Sequence, residues 1–313
     1  MIALTEIQAA ASRIAPYVLR TPTVASPGLS ALLGVPVTAK LEVLQRTGSF
    51  KVRGATNTLL QLGDADRGAG VVAVSGGNHG IAVAVMAGEL GVKATIVMPR
   101  SAPEHARQAA ADAGATVRIT DDMPGAFALS AALRADGLVA VHPFDDPAVL
   151  AGQGTAGLEL ADDAGELTDV LVSIGGGGLI AGIAAALHAR RPGVRVWGVE
   201  TEGAQAMSAA LAAGGPVDVE LSSVVTTLSA PRVSQLTYDH VAELVTDVVV
   251  VSDAEAVRGT LDIADHAKVW TEPAAGCLLP AARRVLDRVG PQARIGLVLC
   301  GGNATTASLG VGR

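Results

Sequence analysis

Short apolar runs alternate with helical patterns along most of the chain. In its first half the predicted elements are strand 71–74, helix 81–90, strand 94–98, helix 103–113, strand 116–119, a helix from residue 124 and strand 138–141. Apolar strands that alternate with helices are typical of a parallel sheet with both faces covered. The pattern therefore predicts an α/β fold.

A second alternation of the same kind occupies the rest of the chain. Its predicted elements are helix 147–160, strand 169–174, helix 179–190, strand 195–200, an irregular stretch at 201–235, strand 245–251, helix 253–266, helix 274–289 and strand 295–299. The opening stretch adds strand 35–41 and a helix from Lys51, and it completes this second group most simply. We predict a large domain of residues 1–65 and 147–313, a small domain of 66–146, and a ligand cleft between them.

Composition narrows the class of ligand. Half of the 313 residues are hydrophobic but only 2% are aromatic, so the core is expected to be Ala, Val and Leu with glycines that allow close contacts. The net charge is −7 and no basic cluster is present, which argues against nucleic acid and acidic membrane surfaces. The expected partner is a small molecule.

Two further features bear on location. Residues 170–187 carry no charge, but four consecutive glycines interrupt them, so we predict a strand, a loop and a buried helix, not a membrane span. The two cysteines, Cys277 and Cys300, are too few for a disulfide framework or a thiolate metal site. Together these features predict a cytoplasmic protein.

Lys51 is the first candidate for chemistry. It lies in the segment Thr47-Gly48-Ser49-Phe50-Lys51-Val52-Arg53-Gly54, where the chain passes from a loop into a helix. An amine among the backbone donors of a helix start suits an anionic carbonyl cofactor and the formation of a Schiff base. By itself the segment also fits an ordinary solvated lysine.

Three glycine-containing loops follow predicted strands, where ligands bind in such sheets. They are Ser75-Gly76-Gly77-Asn78-His79-Gly80, Gly175-Gly176-Gly177-Gly178 and Cys300-Gly301-Gly302-Asn303. The second loop fits a phosphate group at a helix start. The pattern Gly176-x-Gly178-x-x-Ala181, with Glu200 at the end of the next strand, also fits a dinucleotide. Three such loops plus Lys51 fit pyridoxal phosphate best, since that cofactor has a phosphate, a polar ring and an aldehyde.

The same segments resemble the serine/threonine dehydratase and serine racemase family, the fold type II pyridoxal phosphate enzymes related to the tryptophan synthase β chain. The resemblance also includes Ala151-Gly152-Gln153-Gly154-Thr155 and Glu272-Pro273-Ala274, and it covers nearly the whole chain. It implies two domains, each an open parallel-rich sheet covered by helices, with cofactor and substrate between them. Relatives are commonly homodimers or homotetramers.

The resemblance also implies residue roles. Lys51 would form the Schiff base with pyridoxal 5'-phosphate, Phe50 would pack beside it, Asn78 would hydrogen-bond the ring hydroxyl, and Cys300 would face the ring nitrogen. The phosphate contacts would fall on Gly175, Gly176, Gly177, Gly178 and Leu179. The substrate carboxylate would be held by Ser75, Gly76, Gly77, Asn78 and His79.

The implied activity is that of a dehydratase, or ammonia-lyase, which converts L-threonine or L-serine to a 2-oxo acid and ammonia after Lys51 removes the α-proton. Racemases of the family carry a serine at the position of Gly76, so this departure favours elimination. A serine or aspartate racemase and a hydroxyaspartate dehydratase remain alternatives. A nicotinamide dehydrogenase is a further alternative, from the dinucleotide reading.

A divalent cation, Mg²⁺ or Mn²⁺, is bound by some members at positions that resemble Glu200 and the carbonyl of Ala204. The second carboxylate expected there is replaced by Ala206. One carboxylate makes a weak site for a cation that takes six or more oxygens, so the resemblance leaves the metal open.

Overall fold

The computed structural model describes residues 1–306, and in these residues ten strands form two sheets. The strands are β1 Thr23–Ala25, β2 Val37–Leu41, β3 Val71–Val74, β4 Ala94–Pro99, β5 Thr116–Thr120, β6 Val139–Ala140, β7 Asp169–Ser173, β8 Arg195–Thr201, β9 Asp247–Val251 and β10 Ile295–Leu299. The order is β1-β2-β10-β7-β8-β9 in the larger sheet and β5-β4-β3-β6 in the smaller. Only the β1–β2 pairing is antiparallel, so the predicted α/β class is confirmed.

Helices cover the faces of both sheets. They are α1 Leu4–Ile14, α2 Pro27–Leu33, α3 Lys51–Leu59, α4 Asp64–Ala69, α5 Asn78–Glu89, α6 Glu104–Asp112, α7 Met123–Ala135, α8 Pro147–Asp163, α9 Gly178–Arg190, α10 Ala206–Ala213, α11 Gln235–Leu244, α12 Asp253–Ala267, α13 Pro273–Gly276 and α14 Leu278–Val289. No helix in residues 1–306 is long and apolar enough to cross a membrane.

The core is built from small aliphatic side chains and glycines, as the composition predicts. Helices α8 and α9 lie almost in backbone contact, and a Cβ at Gly182 would overlap the carbonyl of Leu150. A Cβ at Gly157 would lie 2.9 Å from Cα of Ile183. Larger residues would separate these helices, and α9 carries the phosphate-loop candidate at its first turn.

Helix α3 packs on the core of the smaller sheet. Val52, Ala55 and Leu59 of this helix pack with the buried residues of the smaller sheet, although the sequence assigns α3 to the large domain. All four strands of the smaller sheet lie within residues 66–146. The domain boundaries themselves stay a prediction.

Several elements differ from the sequence-based prediction. The stretch at 201–235, predicted to be irregular, contains α10, and α11 follows it directly. The first N–H groups of α10, from Met207 and Ser208, donate to the buried carboxylate of Glu200 at 2.8 and 2.9 Å. This distant cap stabilises a helix that the local pattern of alanine, glycine and serine did not indicate. The predicted helix 274–289 is divided into α13 and α14 at Cys277.

Candidate active site

The sheet order brings the candidate loops together. Strands β2, β10 and β7 are neighbours and parallel, so the loops after them meet at one edge. Those loops lead to Lys51, to Cys300 and to the four glycines at 175–178. In the smaller sheet, the central strand β3 leads to the loop at 75–77 and then to Asn78.

The loop that precedes Lys51 is hydrogen-bonded to the loop that follows β10. The N–H of Phe50 donates to the carbonyl of Cys300 at 3.0 Å, and the N–H of Gly302 donates to the carbonyl of Gly48 at 2.9 Å. These backbone hydrogen bonds place Lys51 as the first residue of α3 beside the end of β10. The position of Lys51 is therefore set by two loops that are far apart in sequence.

The amine of Lys51 is partly desolvated. Burial lowers the pKa of Lys51 to about 8, against the opposing effects of Cys300 and Glu272. Its Nζ donates to the carbonyl of Pro143 at 2.9 Å and lies 5.0 Å from the ring centroid of Phe50. A lysine with a lowered pKa has a larger neutral fraction near pH 7, which Schiff-base formation requires.

The four glycines at 175–178, the glycine cradle, make a backbone turn of a shape suited to an anion. Gly177 has φ +92°, a left-handed conformation, and a Cβ there would lie 2.9 Å from Cβ of Thr237. The next residue, Gly178, begins α9, whose first N–H groups have no acceptor within the helix. A Cβ at Gly176 would overlap the ring of Phe144. The backbone at this helix start therefore has the donors and the close approach that a phosphate needs.

The thiol of Cys300 lies at the end of β10 and is 2% exposed. Its Sγ accepts a hydrogen bond from Oγ of Ser173 at 3.4 Å. Burial raises the pKa of Cys300 to about 12, and the nearby Glu272 acts in the same direction. Cys300 is therefore a neutral thiol at neutral pH.

Asn78, the first residue of α5, is linked to two residues for which the sequence assigned no role. Its Nδ2 donates to both carboxylate oxygens of Glu272, at 2.8 and 3.0 Å. Its Oδ1 accepts from Nδ2 of Asn303 at 2.8 Å. The sequence signals were the segments Glu272-Pro273-Ala274 and Cys300-Gly301-Gly302-Asn303, which were recognised without any indication that they meet.

The loop proposed for the substrate carboxylate has one internal hydrogen bond and one to a neighbouring segment. The N–H of Gly77 donates to Oγ of Ser75 at 3.1 Å. His79 Nε2 bonds the carbonyl of Val141 at 2.8 Å, and burial lowers the pKa of His79 to about 3, so its neutral ring is the donor. Because Nε2 of His79 is used by Val141, we expect His79 to contribute to ligand binding at this loop through its backbone.

Buried hydroxyls without a partner mark the same region as polar. Among residues 1–306, Thr47, Ser49 and Thr271 each have a buried hydroxyl that makes no hydrogen bond within the protein. Ser49 pairs with Gly301 in an isolated bridge, and a Cβ at Gly301 would lie 2.8 Å from Oε1 of Glu272. Unpaired buried hydroxyls, an anion cradle and a partly neutral lysine fit a phosphate-bearing aldehyde with a polar ring.

A network of buried charged side chains surrounds Arg53, two residues after Lys51. The guanidinium of Arg53 is fully buried and donates to Glu42 at 2.7 and 2.8 Å and to Glu159 at 2.7 and 2.8 Å. Lys40 Nζ donates to Glu159 at 2.6 Å. This network fixes the first turn of α3 and hence the direction of Lys51.

Glu200, the candidate cation and ribose ligand, caps the start of α10 in the structure. Besides the two N–H groups at the start of α10, its carboxylate accepts from Oγ of Ser208 at 2.6 Å. No group of three or more His, Cys, Asp or Glu suited to a metal occurs within the described residues. The cation site at Glu200 and Ala204 stays a prediction.

Comparison with known proteins agrees with this geometry. The sequence model of the family described as pyridoxal-phosphate dependent enzyme matches residues 14–301. L-threonine ammonia-lyase of Thermotoga maritima is 38% identical over 307 residues, which are 97% of this chain and 76% of that protein.

Two solved structures are also similar. The threonine deaminase of T.th. has a TM-score of 0.90 at 37% identity and covers 97% of this chain and 99% of its own. The serine racemase of maize has a TM-score of 0.91 at 33% identity and covers 98% of this chain and 95% of its own.

The chain belongs to the family of pyridoxal phosphate-dependent enzymes. Pyridoxal phosphate is its cofactor, and the predicted fold class and family are confirmed. The prediction of a pyridoxal phosphate-dependent lyase is confirmed as well. The nicotinamide dehydrogenase alternative is wrong, since the chain belongs to a family with a different cofactor.

Proposed function

We propose that the protein is a dehydratase of small hydroxy amino acids, which converts L-threonine or L-serine to a 2-oxo acid and ammonia. The observation that carries the proposal is the partly neutral amine of Lys51, beside the neutral thiol of Cys300 and the glycine cradle. The Thermotoga maritima relative, named as a threonine ammonia-lyase, supports the same substrate.

We assign the site residues on the geometry above. Lys51 would bind the cofactor covalently, Phe50 would pack beside it, Asn78 would donate to its ring hydroxyl and Cys300 would face its ring nitrogen. Gly175, Gly176, Gly177, Gly178 and Leu179 hold the phosphate. The start of α5, with Ser75, Gly76, Gly77, Asn78 and His79, holds the substrate carboxylate through backbone donors.

Lys51 is the proton acceptor of the reaction. When bound, the cofactor supplies an electron-withdrawing ring that accepts the electron pair left by the α-proton. Lys51 would take that proton, because burial lowers its pKa to about 8 and leaves part of the amine neutral near pH 7. The carbonyl of Pro143, 2.9 Å from Nζ, holds the amine in place.

Cys300 favours elimination. Beside the ring nitrogen of the cofactor, the neutral thiol of Cys300 would not stabilise a proton as a carboxylate would, and this would favour loss of the β-hydroxyl over return of the α-proton. The α-carbon loses its hydrogen, the β-carbon loses its hydroxyl as water, and one water is used when the released unsaturated amine hydrolyses. The net products are the 2-oxo acid and ammonia.

The proposal is tested by assaying the purified, cofactor-loaded protein with L-threonine, L-serine and threo-3-hydroxyaspartate, with and without Mg²⁺. We expect equal amounts of 2-oxo acid and ammonia from threonine or serine. Formation of the D-amino acid without 2-oxo acid would overturn the proposal in favour of a racemase. Release only from hydroxyaspartate would replace the substrate.

A racemase is the second candidate because the maize serine racemase is 33% identical and has a TM-score of 0.91. Gly76 argues against it, since racemases of the family carry a serine there, on the face opposite the lysine. A Cβ at Gly76 would contact Cβ of Ala102 at 3.4 Å and Cδ of Pro99 at 3.7 Å, which are apolar neighbours. No side chain at this position supplies a proton.

Gly76→Ser is expected to raise racemisation relative to elimination. The contacts at 3.4 Å and beyond leave room for the side chain, so the variant should fold. One positioned proton donor contributes roughly 10²–10⁴-fold, and this range limits the expected gain in racemisation. Chiral analysis of recovered serine measures the racemisation. Gly76→Ala is the control, because alanine adds the same Cβ without the hydroxyl. Equal D-serine from both variants would show that another group controls this face.

We also propose a division into domains, an oligomeric state and a position for any divalent cation. The residues 1–65 and 147–313 form the large domain and 66–146 the small one, with the substrate in the cleft. The protein assembles as a homodimer or homotetramer. Any divalent cation binds at Glu200 and the carbonyl of Ala204, and the assays with and without Mg²⁺ test it.

A further inference from the structure

Glu272 is a buried carboxylate beside the proposed cofactor site. It is 3% exposed and precedes α13, and its backbone N–H donates to the carbonyl of Gly301 at 3.0 Å. Both of its side-chain oxygens accept from Nδ2 of Asn78. Glu272 is therefore held at the end of β10 with its carboxyl group directed at the side chain of Asn78.

A chain of hydrogen bonds decides which way the Asn78 amide points. The carbonyl of Thr47 is only an acceptor, so the Asn303 group at 2.8 Å from it must be the Nδ2 donor. The same Nδ2 donates to Asn78 at 2.8 Å, so the Asn78 atom there is Oδ1. The other end of the amide is then Nδ2, which faces the Glu272 carboxylate.

This orientation determines what Asn78 offers to a ligand. A primary amide has one oxygen and two N–H donors. The oxygen of Asn78 is used by Asn303, and one N–H is shared between the two oxygens of Glu272, because these oxygens lie too close together for the two diverging N–H bonds to reach one each. The group left for a ligand is the second N–H, which is a donor, as an ionised ring hydroxyl requires.

Burial moves the titration of Glu272 toward neutrality. Burial raises the pKa of Glu272 to about 7, while Asn78, the backbone N–H of Asn303 and the charge of Lys51 act to lower it. The neutral thiol of Cys300 is the remaining titratable neighbour. When Glu272 takes up a proton, it becomes a weaker acceptor for Asn78, because a neutral carboxyl accepts less strongly than a carboxylate.

We propose that Glu272 is a positioning residue that, together with Asn303, fixes the Asn78 amide so that one N–H is presented to the cofactor ring hydroxyl. The inference rests on the proposed placement of Asn78 against the cofactor and not on the identity of the substrate. Glu272 acts through Asn78 and need not touch the reacting atoms.

The test uses the absorbance of the bound cofactor without substrate. Glu272→Gln is expected to bind the cofactor through Lys51 but with about tenfold weaker affinity, the effect of one hydrogen bond to a charged acceptor. The unchanged protein should show a pH-dependent change in the cofactor spectrum near neutrality that Glu272→Gln lacks. Asp169→Asn is the matched control, because Asp169 is also fully buried but starts β7 with Arg195 and Trp197 as partners.

A double-mutant cycle separates positioning from general destabilisation. Asn78→Ala should reproduce both the affinity loss and the missing spectral change, and adding Glu272→Gln to it should change neither further. Independent, additive effects on the spectrum would overturn the proposal. So would a Glu272→Gln protein whose affinity and spectrum match those of the Asp169→Asn control. Since no substrate is present, a different physiological substrate leaves these results unaffected.

Discussion

Lys51→Ala is expected to lower turnover by roughly 10³-fold or more, because one side chain acts as both the covalent anchor and the proton acceptor. The visible absorbance of covalently held cofactor should disappear at the same time. The glycine cradle is unchanged in the variant, so cofactor should still bind weakly through its phosphate. Activity with a hydroxy amino acid and the absorbance spectrum of the dialysed protein measure the two effects.

The chain offers a simple control for this prediction. Lys93 is an exposed lysine, and Lys93→Ala should leave turnover and absorbance unchanged. Reduction of the bound cofactor followed by peptide mapping should label Lys51 alone among the lysines. Retained turnover in Lys51→Ala, or a label on another lysine, would contradict the proposed mechanism.

Arg53→Met is expected to lower the free energy of unfolding by about 3–5 kcal/mol, the cost of breaking a buried ion network by removing one partner. Arg53 is the shared donor to Glu42 and Glu159, and without it Glu42 keeps the hydroxyl of Thr21 and Glu159 keeps the amine of Lys40. Urea unfolding measures the change. Arg100→Met is the control, since its pair with Asp121 is exposed and should contribute about 1 kcal/mol or less.

The pH dependence of this variant gives a second check. Burial raises the pKa of Glu42, but Arg53 and its hydrogen bonds outweigh burial, so the net pKa is lowered in the folded protein. The stability that this group contributes is therefore present above its unfolded pKa and is lost as pH falls through its folded pKa. In Arg53→Met burial dominates, the sign reverses, and acidification should reduce the destabilisation. A loss of stability equal at neutral and acid pH would contradict this account.

The local sequence pattern predicted most of the elements that form the site. Strands such as residues 169–173 and 295–299 are short and largely apolar, and each is followed after one residue by glycines. These signals depend on neighbours in the chain, so they could be recognised before any contact was known. The short antiparallel strand β1 and helix α10 were missed, because the former is three residues long and the latter is capped by Glu200 from another element.

The candidate site also contains residues that the sequence indicated and contacts that it did not. Lys51 and the glycines at 175–178 were identified because a lysine or glycines at a helix start have a chemical meaning of their own. The contact between Asn78 and Glu272 joins residues 194 positions apart, and the contact between Asn78 and Asn303 joins residues 225 apart. No periodicity or spacing indicates such pairs.

The sequence by itself determined the α/β class and the cofactor class, and it indicated Lys51 as the lysine proposed to bind the cofactor. Only the tertiary structure decided which groups surround that lysine, how Asn78 is oriented, and that Glu200 caps a helix. It also decided the protonation of Lys51, Cys300 and Glu272, whose pKa values are all shifted first by burial. The reason is physical: desolvation and hydrogen bonding depend on which distant segments exclude water from a group, and the order of strands in the sheets sets those neighbours.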